Sequence, residues 1–320
     1  MKRIVIHDRI YGTVELDSPL VFELTHSPSL QRLKKICQFG IPDEFYIKQN
    51  YYRFEHSVGV MILLRKLGAS EEEQIAGLLH DISHTAFSHV VDWVIGEGGN
   101  EDYQDNVHLD MLRKSDIPAL LSSHGYNVEK LADLHHYHLL DRDMPDLCVD
   151  RLDYSFREFE PEIAAQTLTS IRVVDNMIVF NDSDSAYHYA YRYLRQNQEH
   201  WTGFEATTRY RIFADVLRRA LDLKVIMFGD LWIHDEHVVN KLKQSTDKEI
   251  QRMLALLRHK SLEFLPKSKR VAHKKFRWVD PLILVGNVTK RLSEISKTYC
   301  HDLEASREQN KKGITLPVYS

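Results

Sequence analysis

The spacing of apolar positions along the chain predicts a succession of amphipathic helices with very little strand. Residues 1–20 alternate polar and apolar about a turn at Tyr11-Gly12-Thr13, the pattern of a small hairpin, and a helical pattern follows from Pro19 to Phe39. Phe45 to Tyr52 is aromatic and reads as loop or strand. Phe54 to Leu67 is a predicted helix whose Val60, Leu63, Leu64 and Leu67 share one face with His56. A second opens at Ser70, with Glu73 three residues on as a capping box, and runs through Ile75, Leu78 and Leu79 to His80-Asp81. A third covers Phe87 to Ile95, ahead of a loop at Gly96-Glu97-Gly98-Gly99.

Further helices are predicted near Val107–Arg113, Pro118–His124, Val128–His138 and Leu147–Phe159. Ile171 to Phe180 alternates around Asp175-Asn176 as a β-hairpin does. Ser185 to Leu257 is helical again, a basic segment spans Lys267 to Trp278, and a helix from Leu284 to Leu303 follows. The expected fold is all-α with a small β-hairpin. No sharp linker divides the chain, so residues 1–165 are expected to form a helical core, with a helical C-terminal elaboration, 166–320, packed on it.

Composition supports a helical protein with a substantial core: 320 residues, 43% hydrophobic, with only 13 glycines and 9 prolines. No apolar run approaches the roughly 18 residues that a membrane span needs. The apolar start reaches His7 and Asp8 too soon for a secretory signal. Cys37, Cys148 and Cys300 are widely spaced and suit a reducing cytoplasm better than a disulfide framework or zinc knuckle, so a cytoplasmic location is expected. A net charge of -4 argues against wholesale coating of nucleic acid and leaves phosphate binding to local arginines and lysines.

The residues that change the picture are His56, His80-Asp81 and Asp150, each on a predicted helix. Histidine and aspartate pointing into a core are expensive to desolvate unless compensated. A divalent cation compensates both, since it takes imidazole nitrogens and carboxylate oxygens together. Any one of them alone is more often a satisfied structural group.

Four ordered stretches, SLQRLKKICQFG, YRFEHSVGV, AGLLHDISHTAFSHVVD and CVDRLDYSFRE, resemble the HD superfamily of metal-dependent phosphohydrolases. Within it they are most similar to the deoxynucleoside triphosphate triphosphohydrolases, bacterial dGTP triphosphohydrolases and the animal enzyme with a sterile-alpha-motif domain among them. The opening DRIYGTVELDSPLV fits as well, and weaker similarity continues through FGDLWIHDEHVVNKL.

The resemblance implies His56, His80, Asp81 and Asp150 as metal ligands, with Arg53 and Arg151 as phosphate contacts. It implies His89 as proton donor to the leaving oxygen, His84 beside it, and Asp92 and His108 orienting or recharging it. Gln38 and Phe39 would meet the sugar, Tyr154 would pack on it, and Arg195 is a further phosphate candidate. Glu158 stands where the family carries a sugar-contacting aspartate, and Leu109 follows His108 where a glutamate is usual.

The implied cofactor is one divalent transition metal (Mn, Fe, Ni or Zn), with Mg accompanying the phosphates. The implied reaction is hydrolysis of a nucleotide phosphoester, first of all dNTP to deoxynucleoside and triphosphate, in a homo-oligomer as in relatives. The alternatives are a phosphodiesterase or nucleotidase acting on cyclic or monophosphate nucleotides, and a catalytically silent nucleotide-binding module.

His135-His136-Tyr137-His138, read with His108, loosely follows the ligand order of dinuclear HD phosphodiesterases, but a solvated helix face is the expected state. Lys267, Lys269, Arg270, Lys274, Lys275 and Arg277 are likewise expected to form a solvated basic face, with nucleic-acid binding through 267–278 not favoured. Trp201 and Trp232 are expected in the core.

Overall fold

Prolines and captured backbone amides cut the amphipathic stretches into shorter helices than periodicity alone predicts. The computed structural model describes residues 4–96 and 101–319, so most of the expected loop at 96–99 lies outside it. The first helical stretch breaks at Ser27-Pro28 into helices Pro19–His26 and Pro28–Arg32. Ser27 Oγ donates to Leu24 O at 2.7 Å and accepts from Leu30 N at 3.3 Å, closing one helix and capping the next. The Arg53–Lys66 and Glu71–Leu79 helices form as expected and pack together, with Ser70 Oγ accepting from Glu73 N at 3.1 Å. The Val149–Phe156 helix packs on the Arg53–Lys66 helix, which brings the C-terminal motif to the first histidine.

Two expectations fail for tertiary reasons. The helix expected from Phe87 starts only at Val90, because Phe87 (φ 66) and Ser88 (φ 47) are left-handed. Their turn is held from outside: Ala86 N donates to Leu231 O at 2.7 Å and Phe87 N to Asp235 Oδ1 at 2.8 Å. The helix expected over 284–303 is instead a strand pair followed by helices Leu292–Ile295 and Lys297–Lys311. Gly286 (φ 63) supplies the hairpin turn that the helical reading overlooked.

The fold is therefore mostly helical but not strictly all-α; eight short strands make three small sheets among the described residues. β1 (Ile4–Asp8) and β2 (Gly12–Leu16) pair with Ile4 opposite Leu16. β3 (Ile171–Val174) and β4 (Met177–Phe180) form the expected hairpin, with both turn residues, Asp175 and Asn176, at positive φ. β5 (Lys267–Ala272) precedes β6 (Leu282–Val285) and β7 (Val288–Arg291). β6 joins β4 in parallel, and β5 pairs with β8 (Ile314–Pro317). A helix at Pro161–Ser170 lay outside the sequence reading.

Two apolar cores result. One gathers Leu24, Leu63, Leu78, Leu152 and Tyr193 and continues to Tyr299 and Leu303; the other gathers Phe45, Phe87, Trp93, Phe213 and Leu254. No described helix is long and apolar enough to cross a membrane.

Candidate metal centre and its cavity

Three chain segments meet at the first core's edge and bring four side chains together. His56 sits one turn into its helix, His80 and Asp81 follow the end of the Glu71–Leu79 helix, and Asp150 opens the Val149–Phe156 helix. One ligand atom each from His56, His80 and Asp81 lie within 4.8 Å of one another. Asp150 Oδ1 is 2.8 Å from His56 Nε2 and 3.5 Å from His80 Nε2.

The donor set fits a divalent cation. His56 Nδ1 faces Asp153 Oδ1 at 2.7 Å and His80 Nδ1 faces the Gly77 carbonyl at 2.7 Å, so each imidazole presents Nε2 inward. The two Nε2 atoms are 3.2 Å apart, with carboxylate oxygens beside them. Four electron-rich atoms in that space repel unless protons or a cation sit among them. Burial disfavours a charged His56, yet Asp150 and Asp153 outweigh it and push its pKa up to about 9. Burial likewise opposes the charge on Asp81, but Arg53 and His80 hold its carboxyl well below the usual range.

Arg53, itself buried, donates from Nη1 to both Asp81 oxygens at 3.0 and 2.8 Å and from Nε to Ser88 Oγ at 3.0 Å. Ser88 in turn donates to the Cys37 carbonyl at 2.7 Å, linking the two turns that edge the site. Asp235 spans the same gap, accepting from Cys37 N and Phe87 N at 2.8 Å each.

A cavity of about 700 Å³ opens over this group. His80, Asp81, His84, His89, Asp150 and Arg53 line one side, and Gln38, Phe39, Tyr154 and Glu158 line another. His84 Nε2 is 3.2 Å from Asp81 and its ring meets His89 edge-on at 4.9 Å. His89 Nδ1 stands 3.4 Å from Asp92, whose other oxygen accepts from Tyr103 N. His108 is turned elsewhere: it is buried against Ser83 Oγ at 3.0 Å and does not line the cavity.

Several expected contacts find other partners. Arg151 lines the cavity but donates to the backbone carbonyls of Asp146 and Arg142 at 2.5 and 3.1 Å, bracing the loop before its own helix. Arg195 pairs with Glu199 away from the cavity. Glu158 accepts from Lys48, Gln196, Trp201 and the His200 ring at 2.6 to 2.8 Å. Burial raises its pKa, but His200 and Lys48 overcome that and bring it to about 2. Three of these donors crowd Oε2 and only Trp201 reaches Oε1, so much of its acceptor capacity is already taken. Gln38 Oε1, in contrast, is buried beside the cavity without a hydrogen-bond partner among the described residues.

The sequence reading missed much of the far wall: Glu101, Tyr210, Lys274, Lys275 and Arg277, with His200 and Trp201 at the end. The basic segment was visible, but nothing local marked it as facing inward. Asp153, three residues after Asp150 and hence on a similar helix face, was legible in principle. His135, His136 and His138 are exposed, as expected; His135 reaches the cavity mouth.

Comparison with known proteins agrees with this geometry. Residues 53–158 match the HD domain family. The chain is 36% identical to the uncharacterized protein YdhJ of Bacillus subtilis over 98% of both chains. It is 30% identical to the metal-dependent phosphohydrolase cns2 of Cordyceps militaris, over 79% of this chain and 77% of that one. The human deoxynucleoside triphosphate triphosphohydrolase SAMHD1 is 38% identical over 28% of this chain and 16% of its own. The crystal structure of a phosphohydrolase from Bacteroides thetaiotaomicron shares the fold, with TM-score 0.67, 18% identity, and coverage of 94% and 96% of the two chains.

Proposed function

Because this chain belongs to the HD-domain metal-dependent phosphohydrolases, we propose that it hydrolyses a phosphoester of a nucleotide, first of all a deoxynucleoside triphosphate to deoxynucleoside and triphosphate. The observation that carries this reading is the His56, His80, Asp81 and Asp150 group, of which His80, Asp81 and Asp150 line a cavity that also holds cations and ring faces. These four residues would hold one divalent metal, with Mn, Fe, Ni and Zn suited to the mixed nitrogen and oxygen donors. A bound metal supplies charge neutralisation at the phosphate and water activation near neutral pH.

The chain's own residues do the rest. Arg53, which lines the cavity beside Asp81, would offer its guanidinium to phosphate oxygens. His89, at the cavity wall with Asp92 behind it, donates a proton to the leaving oxygen, a contribution of roughly 100- to 10,000-fold. Gln38 Oε1 offers an acceptor to a sugar hydroxyl, and Phe39 and Tyr154 offer ring surface.

A second reading, hydrolysis of a monophosphate or cyclic nucleotide, is favoured by charge pairing in the cavity. Arg277 is matched by Glu101 and Arg142 by Asp146, which suits a less charged substrate. Anion-exchange chromatography of products from Mn-loaded protein separates the two. Tripolyphosphate from dNTPs, absent with Asp81→Ala, supports the first; intact dNTPs alongside cleaved monophosphates or cyclic nucleotides overturn it in favour of the second.

A further inference from the structure

The basic run that the sequence presents as one face is divided by the fold. Lys267, Lys269 and Arg270 stand exposed on β5, whereas residues 273–281 have no regular structure and run along the cavity, placing Lys274, Lys275 and Arg277 in its wall. This strap is tied down at several points. Arg277 N donates to Asn197 Oδ1 at 3.0 Å, Asp280 N to Pro145 O at 3.0 Å, and Asn310 Nδ2 to Lys274 O at 3.4 Å. Arg307 lies 4.8 Å over the Trp278 ring. It is a fixed wall, built by the C-terminal part of the chain on a site whose metal ligands all come from the N-terminal half.

Two cations in that wall are treated differently. Arg277 is matched, with Glu101 Oε2 at 2.5 Å. Lys274 is not: its ammonium sits 3.8 Å from the centroid of the Tyr210 ring, with no carboxylate in ion-pair range and no hydrogen-bond acceptor among the described residues. A ring face compensates a desolvated ammonium only in part. Burial accordingly pulls the Lys274 pKa down to about 8, although Glu101 opposes it. Such a cation facing a cavity gains most from an arriving anion. The place of the strap favours a ligand already anchored at the metal, since Arg277 lies 5.9 Å from the Tyr154 ring, which is itself 6.4 Å from the His56 ring.

We infer that Lys274 forms a second anion subsite, binding a phosphate of a nucleoside polyphosphate other than the one attacked at the metal centre. This rests on the nucleotide reading above and adds to it a residue that selects substrates by their number of phosphates. Lys274→Gln removes the charge, and Lys274→Arg keeps it as a control for folding. With Mn-loaded protein, Lys274→Gln is expected to raise KM for dNTPs about tenfold or more, the worth of one charge-assisted bond. The preference for dNTPs over p-nitrophenyl phosphate, which has one phosphate, should fall about as far, with Lys274→Arg recovering part of it. Equal losses on both substrates, or none, overturn the inference. Calorimetric titration with inorganic pyrophosphate gives an independent reading if no nucleotide is turned over. Weaker binding by Lys274→Gln than by wild type supports the subsite even if the nucleotide reading fails, and equal binding removes it.

Discussion

Asp153 faces His56 Nδ1 at 2.7 Å, while Asp150, one turn earlier on the same helix, faces His56 Nε2 at 2.8 Å. One helix thus supplies both the carboxylate beside the candidate ligand atom and the one that fixes its ring. Asp153 is itself held by Arg157 Nε at 2.7 Å and by the Tyr11 hydroxyl at 2.8 Å. The network is packed so tightly that a Cβ at Gly59 would lie 1.9 Å from Arg157 and 2.2 Å from Asp153.

Replacing Asp153 with Asn should therefore weaken metal binding while leaving all four proposed ligands in place. Loss of a carboxylate behind a ligating histidine typically costs about 10- to 100-fold in affinity. Titration of the metal-free protein with Mn or Zn by calorimetry measures it. Affinity equal to wild type would show that His56 needs no such support.

Asp81→Ala removes a proposed ligand and also strands Arg53, a buried guanidinium whose remaining side-chain partner is Ser88. Breaking a buried pair in this way costs about 3–5 kcal/mol. Urea denaturation in a chelator should show that loss in the metal-free state, and chelation alone should abolish turnover of the wild type. Undiminished stability of metal-free Asp81→Ala would mean that the pair contributes nothing net.

Glu158 gives a pH dependence whose sign follows from its depressed pKa of about 2. Its stabilising contribution is present above the unfolded-state value near 4.5 and is lost as pH falls from there through about 2. Across that interval it amounts to about 3 kcal/mol. Glu158→Gln should be destabilised relative to wild type at pH 7, and the gap should shrink by about half by pH 3 and close only below about pH 2. A gap at pH 3 as large as at pH 7 would assign the loss to packing instead of charge.

Asp235 ties Cys37 N, next to Gln38, to Phe87 N, next to Ser88 and His89. An asparagine keeps the volume but offers only one accepting oxygen, leaving one buried amide unpaired at a cost of about 1–3 kcal/mol. The expected outcome for Asp235→Asn is a kcat about tenfold lower with metal content unchanged. Loss of metal together with activity would mean that the two turns also shape the metal group.

What the sequence by itself determined was the local part of this protein. The capping of the second helix at Ser70, the Asp175-Asn176 turn, and the grouping of His56, His80, Asp81 and Asp150 were all legible, because helical period, turn chemistry and motif order act over a few residues. What only the tertiary structure decided depends on contacts between distant segments. The HTAFSH stretch is a left-handed turn instead of a helix start because Leu231 and Asp235 capture its amides from far along the chain. β6 is a strand because β4 offers an edge to it. Lys274 and Arg277 read as solvated charge until the anchors at Asn197, Glu101 and Tyr210 turn their strap onto the cavity. Glu158 shows the same limit within one site: its position on the chain suggested a sugar contact, but Lys48, Gln196, His200 and Trp201, supplied by other elements, occupy its oxygens. Residue type and spacing fix which groups carry charge, and only packing decides whether that charge meets solvent, a partner or an open cavity.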